Sequence, residues 1–285
     1  MPQTKIKTKK KAESISIIVV SYHNAPVLEL CINSILKERR ELRRKQDLKM
    51  EVLVIDSEAS EKTRDIAKKF TLQRKPVRYF PFTENTGFSR AVNKGIKESR
   101  GDFLLILNYD IILTEGALLR MVEVIKNDKK IGIMGPKLLN FDGSPQSSAF
   151  HFYTPLVILY RRTPLGKTPW GKKKLSDFII SLDKETEKPI AIDGWLMGSA
   201  LMLRRDNLEK VGVMDERYFM YFEDVDWCRR FQEKGFKVIY FPGASLFHYH
   251  GKKSATRHFW EVFFNKMTLV HIESAVKYFW KFRKK

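Results

Sequence analysis

Short runs of β-branched and aliphatic residues alternate with helical stretches along the first half of the chain, from Ile15 to Met134. Four of these runs are predicted strands: ISIIVVS, EVLVID, VRYFPF and DFLLILN. The first helical stretch opens at Pro26, a residue suited to a first helical turn, and carries apolar residues at helical spacing. This order is typical of βαβ units and predicts an α/β fold with a mostly parallel central sheet flanked by helices.

The second half of the chain is less regular before its pattern returns. Residues from about 142 to 190 lose periodicity and collect Pro, Gly, Ser and Lys, which predicts a loop-rich insertion with little regular structure. From Ile190 onward, GSALMLRR, KVIYFP and ASLFH are predicted strands, while RDNLEKVG and EDVDWCRRFQEKG are predicted helices. The stretch KERRELRRKQDLKM continues the first helix and is so charged that we expect it to be solvated.

These patterns divide the chain into three parts. Residues 1–13 are basic and predict a disordered tail, residues 14–256 predict the α/β domain, and residues 257–285 predict a basic, aromatic helical extension. One helical face of the extension is apolar and carries Leu269, Ile272, Val276, Phe279 and Trp280. Two interpretations stay open: this helix docks on its own domain, or it lies in a membrane interface.

The charge and the cysteine content of the chain limit the kinds of partner and the cellular location that we expect. The chain has 53 Lys and Arg residues against 33 Asp and Glu residues, a net charge of +20, which favours phosphates, anionic lipid or nucleic acid. Its basic residues are dispersed and carry no nucleic-acid-binding motif, so we expect no nucleic acid partner. Two distant cysteines predict no disulfide framework and a reducing, cytoplasmic location. We read no secretory signal, and no apolar stretch reaches the roughly 18 residues of a spanning helix.

Polar residues or glycines follow each of the four predicted strands. They are Ser21, Tyr22, Asn24, Asp56, Asn85, Gly87, Asn108 and Asp110. Ligands of open α/β sheets bind at the carboxyl ends of the strands, so we expect these residues at one edge. A single acid there is often only a helix cap or a turn former. One carboxylate is nevertheless enough for Mg²⁺ when a substrate diphosphate supplies further ligands.

Two more groups of candidate residues lie in the second half. Glu223, Asp224 and Asp226 crowd the start of a predicted helix, where acids are favoured by the helix dipole alone. The aromatic residues around them also suit a partly desolvated pocket, which tunes a carboxylate for general-base catalysis. His248 ends a predicted strand before a basic loop, and is either structural or placed for a metal or a phosphate.

The order of these motifs resembles that of family 2 glycosyltransferases of the GT-A (Rossmann-like) fold, particularly the branch of bacterial rhamnosyltransferases of cell-surface polysaccharide synthesis. The resemblance covers about residues 14 to 254, and is carried by SIIVVSYHN, VLVIDSEAS, ENTGFSRAVNKGI, GDFLLILNYD, GSALMLRRDNLEKVGVMDERYFMYFEDVDWCRR and FHYHGKKS. It implies transfer of a sugar from a nucleoside-diphosphate sugar to a hydroxyl of a glycan or lipid-linked acceptor. It also implies inversion at the anomeric carbon and a divalent cation, Mg²⁺ or Mn²⁺.

The resemblance assigns roles to individual residues. Asp110, in NYD, and His248 are the implied metal ligands, and Asp224 is the implied general base. The implied nucleotide-binding residues are Ser21, Tyr22, Asn24, Asp56, Asn85, Gly87, Phe88 and Asn108. Candidates for the acceptor or sugar pocket are Trp195, Gly198, Glu223 and Asp226, although Trp195 is equally well explained as a core residue.

Three positions depart from the family pattern. Tyr109 replaces the common Pro, Ser57 stands where Asn is frequent, and Arg90 occupies a position often held by a small residue. Two other functions stay open: a sugar-nucleotide-binding relative that has lost catalysis, and a nucleic-acid-binding protein. Because such enzymes often use lipid-linked acceptors and basic residues are attracted to anionic lipid, we expect a peripheral location at the inner face of the cytoplasmic membrane.

Overall fold

A computed structural model describes residues 13–180, 186–249 and 266–283 of the chain. The strands are β1 (Ser14–Ser21), β2 (Lys49–Asp56), β3 (Val77–Pro81), β4 (Phe103–Asn108), β5 (Ile111–Leu113), β6 (Ile131–Leu139), β7 (Pro145–Gln146), β8 (Ala149–Phe150), β9 (Ile190–Ala191), β10 (Trp195–Leu196), β11 (Ala200–Arg204) and β12 (Lys237–His248). The helices are α1 (Ala25–Gln46), α2 (Glu61–Leu72), α3 (Gly87–Glu98), α4 (Ala117–Asn127), α5 (Pro155–Arg162), α6 (Pro169–Phe178), α7 (Asn207–Val211), α8 (Glu223–Glu233) and α9 (Lys266–Phe282).

The central sheet has the strand order β3-β2-β1-β4-β11-β6-β12-β5. β1 runs parallel to β2 and β4, β2 runs parallel to β3, and β12 runs parallel to β6, whereas β11 lies antiparallel between β4 and β6. The register places Ser21 opposite Asp56 and Val20 opposite Asn108. The carboxyl ends of β1 to β4 therefore meet at one edge of the sheet, called the rim below. The prediction of an α/β fold with a mostly parallel, helix-flanked sheet is confirmed.

Alternate residues of β1 build the two cores on either side of the sheet. Ile15, Ile17 and Val19 pack in the core that contains α1 and α4, whereas Ile18 and Val20 pack in the core that contains α3 and α8. This alternation follows from the two-residue period of a strand, and covering both faces explains why the consecutive residues 17–20 of β1 are all apolar.

The expectation that the charged continuation of α1 is solvated holds for one face only. Glu38 and Leu42 of that stretch are buried. The Glu38 carboxylate accepts hydrogen bonds from the main-chain N–H groups of Gly116 (2.9 Å) and Leu118 (3.2 Å), at the start of α4. An acid that binds the first N–H groups of another helix satisfies donors that otherwise lack partners. The helix is therefore amphipathic through its last turns.

The region from 142 to 190 contains more regular structure than predicted. It forms β7, β8, α5 and α6, whereas residues 181–185 lie outside the described residues. Thr154 and Thr168 each accept a hydrogen bond from the first turn of the following helix, and each is followed by a Pro. This combination of a capping Thr and a first-turn Pro starts a helix without a long periodic pattern, which is why periodicity alone missed both helices.

One predicted pair of strands is a single strand. KVIYFP and ASLFH belong to β12, which is continuous from Lys237 to His248 and changes register against β6 between Phe241 and Ser245. Pro242 and Gly243 lie at this irregularity, where the ladder to β6 is interrupted. Proline and glycine mark bulges as well as strand ends, and the sequence pattern does not separate the two.

The C-terminal helix α9 docks on the domain, as one of the two interpretations requires. Its buried residues include His271, Ala275, Tyr278 and Phe282, and the Ser274 hydroxyl donates to the main-chain oxygen of Met220 (2.9 Å). The apolar face named from the sequence is not the docked one, because Leu269, Ile272, Val276 and Trp280 remain exposed. Among the described residues, no helix combines the length and the apolar character needed to cross a membrane. Residues 1–12 and 250–265 lie outside the described range, so the domain limits stay predictions.

Candidate active site

At the end of β2, the Asp56 carboxylate is completely buried. Its Oδ2 accepts a hydrogen bond from the Tyr79 hydroxyl (2.8 Å), and its Oδ1 has no hydrogen-bond partner among the described residues. Burial raises the pKa of Asp56, although the bond from Tyr79 opposes this effect. Ser57, the first departure from the family pattern, donates from its hydroxyl to the main-chain oxygen of Ser21 (3.1 Å) and so ties β1 to β2.

The segment after β1 lies beside the end of β4. Tyr22 and Asn24 are half-buried, and the Asn24 side chain hydrogen-bonds to Tyr109. The Tyr109 ring packs against the core that contains α1, and its main-chain N–H donates to the oxygen of Val20 (3.0 Å). The unusual Tyr109 is therefore a packing residue joined to the first loop. Asn108 is half-buried at the end of β4.

The start of α3 lies against the segment before α8. Gly87 has a φ of +76°, and a Cβ there would lie 2.3 Å from the main-chain oxygen of Phe219, so only glycine fits. The Asn85 side chain accepts from the Gly87 N–H (3.0 Å), and the Phe88 N–H donates to the same Phe219 oxygen (2.9 Å). Arg90 is exposed and pairs with Glu216, with 3.4 Å between Nε and Oε2.

Pairing of β5 with β12 brings Asp110 and His248 together. His248 lies opposite Ile111 in this antiparallel ladder, and the Tyr249 N–H donates to the Asp110 main-chain oxygen (2.9 Å). The Nε2 atom of His248 lies 3.5 Å from Oδ1 of Asp110. The two implied metal ligands, 138 positions apart in the sequence, thus face one another at the rim.

A third residue, Gln146, fixes the orientation of the His248 ring. The Nε2 atom of Gln146 donates to the main-chain oxygen of His248 (2.9 Å), and its Oε1 lies 2.9 Å from Nδ1 of the same histidine. A main-chain carbonyl only accepts, so the amide nitrogen must be the atom that faces it, and Oε1 must be the atom that faces the ring. Nδ1 therefore donates to Gln146, and Nε2 is the ring nitrogen that faces Asp110.

The Asp110 and His248 pair suits a cation. A carboxylate oxygen and an imidazole nitrogen that face each other are two electron-pair donors, and Oδ1 of Asp110 is buried without a hydrogen-bond partner among the described residues. Within the described ranges, no group of three or more His, Cys, Asp or Glu side chains is arranged to hold a metal ion. Two of the described side chains are therefore placed as ligands, which suits a divalent ion that takes further ligands from substrate and water.

Asp224, in the first turn of α8, is held by main-chain donors. Its Oδ2 accepts from the Gly198 N–H (2.9 Å) and its Oδ1 from the Val225 N–H (2.9 Å). A Cβ on Gly198 would lie 3.3 Å from Oδ2 of Asp224 and 3.5 Å from the Phe88 ring, so Gly198 allows all three to pack closely. Burial raises the pKa of Asp224 to about 6, although the two N–H groups oppose this effect.

The neighbouring Glu223 has a different environment. It is buried, and its Oε2 has no hydrogen-bond partner among the described residues. Burial and the negative charge of Asp224 raise the pKa of Glu223 well above its usual range. The two adjacent acids are therefore distinct, with Asp224 the better stabilised as an anion and Glu223 the better stabilised as a neutral acid.

Two candidates for the acceptor or sugar pocket are packed into the domain, and their pocket roles stay predictions. Asp226 is completely buried and forms ion pairs with Arg230 (2.6 Å) and with Lys281 of α9. The second ion pair helps to fix the C-terminal helix on the domain. Trp195 is only 6% exposed and stacks on Phe150, with 4.7 Å between ring centroids. Of the two interpretations of Trp195, the core residue is therefore the one that the structure supports.

Buried oxygens without hydrogen-bond partners are concentrated at the rim. Among the described residues, eight buried side-chain oxygens lack a hydrogen-bond partner, and one of them, on Ser148, lies just before β8. The other seven lie near the ends of β1 to β4, at the start of α3, just before β11 or at the start of α8: Ser21, Asp56, Thr86, Ser89, Asp110, Ser199 and Glu223. A buried polar group that lacks a partner costs about 1 to 3 kcal/mol, so such a concentration is typical of a surface that binds a polar ligand.

Three site residues were missed from the sequence. Tyr79 lies within β3 and Ser199 lies before β11, and neither follows a parallel strand. Gln146 lies in a region without periodicity and contacts a histidine 102 positions away. Only Ser199 carried a signal, its place within the GSALMLRR motif.

Comparison with known proteins agrees with this geometry. The family model described as "Glycosyl transferase family 2" matches residues 16–192. An N-acetylglucosaminyl-diphospho-decaprenol L-rhamnosyltransferase of Mycobacterium tuberculosis is 29% identical over 253 residues, which cover 82% of this chain and 76% of the relative. Rhamnosyltransferase WbbL of Escherichia coli is 26% identical over 211 residues, covering 70% of each chain.

Solved structures with low sequence identity share the fold. GalNAc-T7 with UDP, GalNAc and Mn²⁺ is 18% identical with a TM-score of 0.62, covering 84% of this chain and 44% of that chain. Mannosyltransferase PcManGT of Pyrobaculum calidifontis, with GDP-Man and Mn²⁺, is 17% identical with a TM-score of 0.57, covering 92% of this chain and 64% of that chain. This chain belongs to glycosyl transferase family 2 and is a glycosyltransferase of the GT-A fold.

Proposed function

We propose that this glycosyltransferase is an inverting, divalent-cation-dependent enzyme that moves a sugar from a nucleoside-diphosphate sugar to a hydroxyl of a lipid-linked or glycan acceptor in cell-envelope polysaccharide synthesis. The observation that carries the proposal is the arrangement of Asp110, His248 and Asp224 on a rim whose buried oxygens lack partners. The names of the relatives support rhamnose as the sugar and a diphospho-polyprenol as the carrier of the acceptor. A thymidine diphosphate donor is the first nucleotide to test.

The nucleoside end of the donor binds at β1 and β2. Asp56 Oδ1 is available to accept a hydrogen bond from base or ribose, because Tyr79 occupies Oδ2. Ser21, Tyr22, Asn24 and Asn108 border the same position, while Asn85, Gly87 and Phe88 form the wall at the start of α3. The exclusion of water around the buried Ser21 and Asp56 strengthens each hydrogen bond that they make.

Asp110 and His248 hold the divalent cation. A bound Mg²⁺ or Mn²⁺ supplies Lewis-acid stabilisation of the charge that develops on the departing nucleoside diphosphate. Gln146 keeps Nε2 of His248 directed at the site, and the fixed strands β5 and β12 keep the two ligands in place before substrate binds. Two solved structures of the same fold contain Mn²⁺, which supports the choice of ion.

Asp224 takes the proton of the acceptor hydroxyl as that oxygen bonds to the anomeric carbon. Each of its carboxylate oxygens accepts one main-chain N–H and retains capacity for a second hydrogen bond. A pKa raised to about 6 keeps Asp224 ionised at neutral pH and brings its basicity closer to the operating pH than an ordinary aspartate. Displacement of the nucleoside diphosphate by an oxygen on the opposite face inverts the anomeric configuration.

The test is an assay of purified protein with a panel of nucleotide sugars, a polyprenyl-diphospho-N-acetylglucosamine acceptor and Mn²⁺ or Mg²⁺. The acceptor-dependent release of nucleoside diphosphate measures transfer. NMR of the product determines its anomeric configuration. Asp224→Asn should lower transfer by at least about 10³-fold while retaining donor binding. Asp226→Asn is unsuitable as a control because that acid is structural; Asp65→Asn, at an exposed position of α2, should keep wild-type transfer. Donor binding without any transfer would instead support the relative that has lost catalysis.

A further inference from the structure

Helices α5 and α6, which were not predicted from the sequence, form a basic hairpin with several exposed apolar side chains. Between Pro155 and Phe178 the cations are Arg161, Arg162, Lys167, Lys172, Lys173 and Lys174, and Asp177 is the one acid. Trp170 is 81% exposed, Leu165 is 48% exposed, and Leu156 and Leu159 are each 45% exposed. These four apolar side chains and Lys167, Lys172, Lys173 and Lys174 are called the hairpin surface below.

The inner side of the hairpin packs on residues that flank the candidate base. Tyr153, just before α5, contacts the ring of Phe222 with 4.7 Å between centroids, and Phe222 immediately precedes Glu223 and Asp224. Phe178, at the end of α6, contacts Tyr153 at 4.7 Å. The ring of His271 of α9 also contacts Tyr153 and Phe222. The exposed apolar stripe of α9 and the hairpin surface are thus attached to one aromatic cluster beside the acid pair.

We propose that the hairpin surface binds an anionic phospholipid bilayer. This proposal rests on the proposed function in one respect: an acceptor carried by a membrane lipid would require the enzyme to work at the bilayer surface. An exposed Trp and Leu side chains surrounded by Lys form the combination that favours the headgroup region, where apolar side chains enter the acyl boundary and cations meet lipid phosphates. A bilayer bound there lies along the part of the domain that carries Asp224.

Charge selects the bilayer over a second copy of the chain. A symmetric dimer through the hairpin surface would bring two basic patches of like charge together, in a protein that already carries a net charge of +20. Anionic lipid instead pairs with the same cations. Each Lys near such a surface adds favourable attraction, which decreases with salt because exposed charges are screened.

Vesicle binding of the full chain, without donor or acceptor, tests the proposal. Wild-type protein should float with vesicles of equal phosphatidylglycerol and phosphatidylcholine, and bind pure phosphatidylcholine much more weakly. Lys172→Glu with Lys173→Glu and Lys174→Glu should weaken partitioning by about a hundredfold. The matched control changes Lys62, Lys68 and Lys75 to Glu on the exposed side of α2 and its following turn. It alters net charge equally and should bind at close to the wild-type level.

The apolar part of the surface needs its own pair of variants. Trp170→Ser with Leu165→Ser should weaken partitioning at least about tenfold, whereas Leu72→Ser, at an 84% exposed position of α2, should not. Because both natural cysteines are buried, Leu165→Cys and Leu72→Cys can each be labelled with an environment-sensitive dye. The dye at 165 should shift to the blue on adding anionic vesicles, and the dye at 72 should not.

Three results would overturn the proposal: no binding of wild-type protein to anionic vesicles, equal binding by the hairpin variants and their controls, or a wild-type dimer that the hairpin variants dissociate. Circular dichroism of each variant confirms that the fold is retained. If the protein transferred no sugar but its vesicle binding depended on the hairpin, the proposed function would be rejected and the membrane-binding proposal would be kept. If the protein transferred sugar in detergent but the hairpin variants bound vesicles as the wild type does, the membrane-binding proposal would be rejected and the proposed function kept.

Discussion

Gln146 contacts His248 at two atoms. The Gln146 amide nitrogen donates to the main-chain oxygen of His248, and the Gln146 amide oxygen contacts Nδ1 of the His248 ring. The Asn140 side-chain oxygen accepts a further hydrogen bond from the same Gln146 nitrogen (2.7 Å). Gln146 is therefore fixed from two sides, and it transmits that fixed position to the ring nitrogen that faces Asp110.

Gln146→Ala should weaken binding of Mn²⁺ about 10- to 100-fold, because loss of a residue that orients a metal ligand has effects of this size. Calorimetric titration of Mn²⁺ in the presence of nucleoside diphosphate measures the change without catalysis. Gln73→Ala, at an exposed position after α2, is the control and should bind as the wild type does. Wild-type affinity in Gln146→Ala would show that the His248 ring is held by other contacts.

The raised pKa of Asp224 predicts the position of the acid limb of the rate profile. Below the pKa the carboxylate carries a proton and cannot accept one from the acceptor hydroxyl, so kcat/KM should fall as the pH drops. Because burial raises this pKa from 3.8 to about 6, the limb should lie near pH 6. Initial rates between pH 4.5 and 8 at saturating Mn²⁺ measure it, and the residual rate of Asp224→Asn should lack the limb. A limb near the usual aspartate value would contradict the assignment.

Glu223 predicts a stability that depends on pH. Its pKa is higher in the folded state than the ordinary value of 4.5, so the folded state binds more protons in the interval between the two. The free energy of unfolding of the wild type should therefore fall as the pH rises above about 4.5, because ionising this buried acid is unfavourable. Glu223→Gln cannot ionise and should lose less stability over the same range.

Urea denaturation at pH 5 and pH 8 measures that difference. The quantity of interest is the change in unfolding free energy between the two pH values, compared between the wild type and each variant. Glu209→Gln, at an exposed position of α7, is the control and should follow the wild type. If Glu223→Gln also followed the wild type, the folded protein would not disfavour the charged form of Glu223.

The parallel half of the fold and the rim could be predicted because each depends on local pattern. Buried strands such as β4 are apolar throughout, and the polar residue that ends each one needs only the rule that ligands bind at carboxyl ends. Strand β6 was not predicted, although it is central in the sheet. Its sequence IGIMGPKLL contains two glycines and a proline, which weaken any strand pattern. The strand forms because its main chain hydrogen-bonds to β11 and β12, which are distant in the sequence.

The contacts that distinguish the acids of α8 could not be read from their spacing. Glu223, Asp224 and Asp226 all lie in the first turn and differ only in the direction in which the helix presents them. Asp224 meets the N–H of Gly198, which precedes β11, whereas Asp226 meets Lys281, which lies 55 positions away. Such long-range partners depend on how α8 and α9 pack, and helix periodicity alone places neither.

The junction of α9 with the domain gives the last prediction. The Nζ atom of Lys281 pairs with the buried Asp226 and with Asp215 Oδ2 (2.8 Å). Burial raises the pKa of Asp215, but hydrogen bonds from Arg217 and Lys281 outweigh it and hold the pKa well below its usual range. Lys281→Met removes the ammonium while keeping most of the side-chain length, so Asp226 loses one of its two cationic partners.

Lys281→Met should lower the free energy of unfolding at pH 7 by about 2 kcal/mol, the range for a hydrogen bond to a buried charge. The deficit should begin to shrink as the pH falls below 3.8, because an aspartate with a depressed pKa contributes its full stability above the unfolded-state value and loses it progressively as the pH falls toward the folded-state value. Urea denaturation at pH 7 and at pH 3.5 checks both statements. Lys277→Met, one turn earlier, removes an exposed ion pair with Glu273 and an exposed hydrogen bond to the main-chain oxygen of Arg217, and should cost less than about 1 kcal/mol. Equal losses in the two variants would mean that α9 is held by its aromatic face rather than by the Lys281 ion pairs.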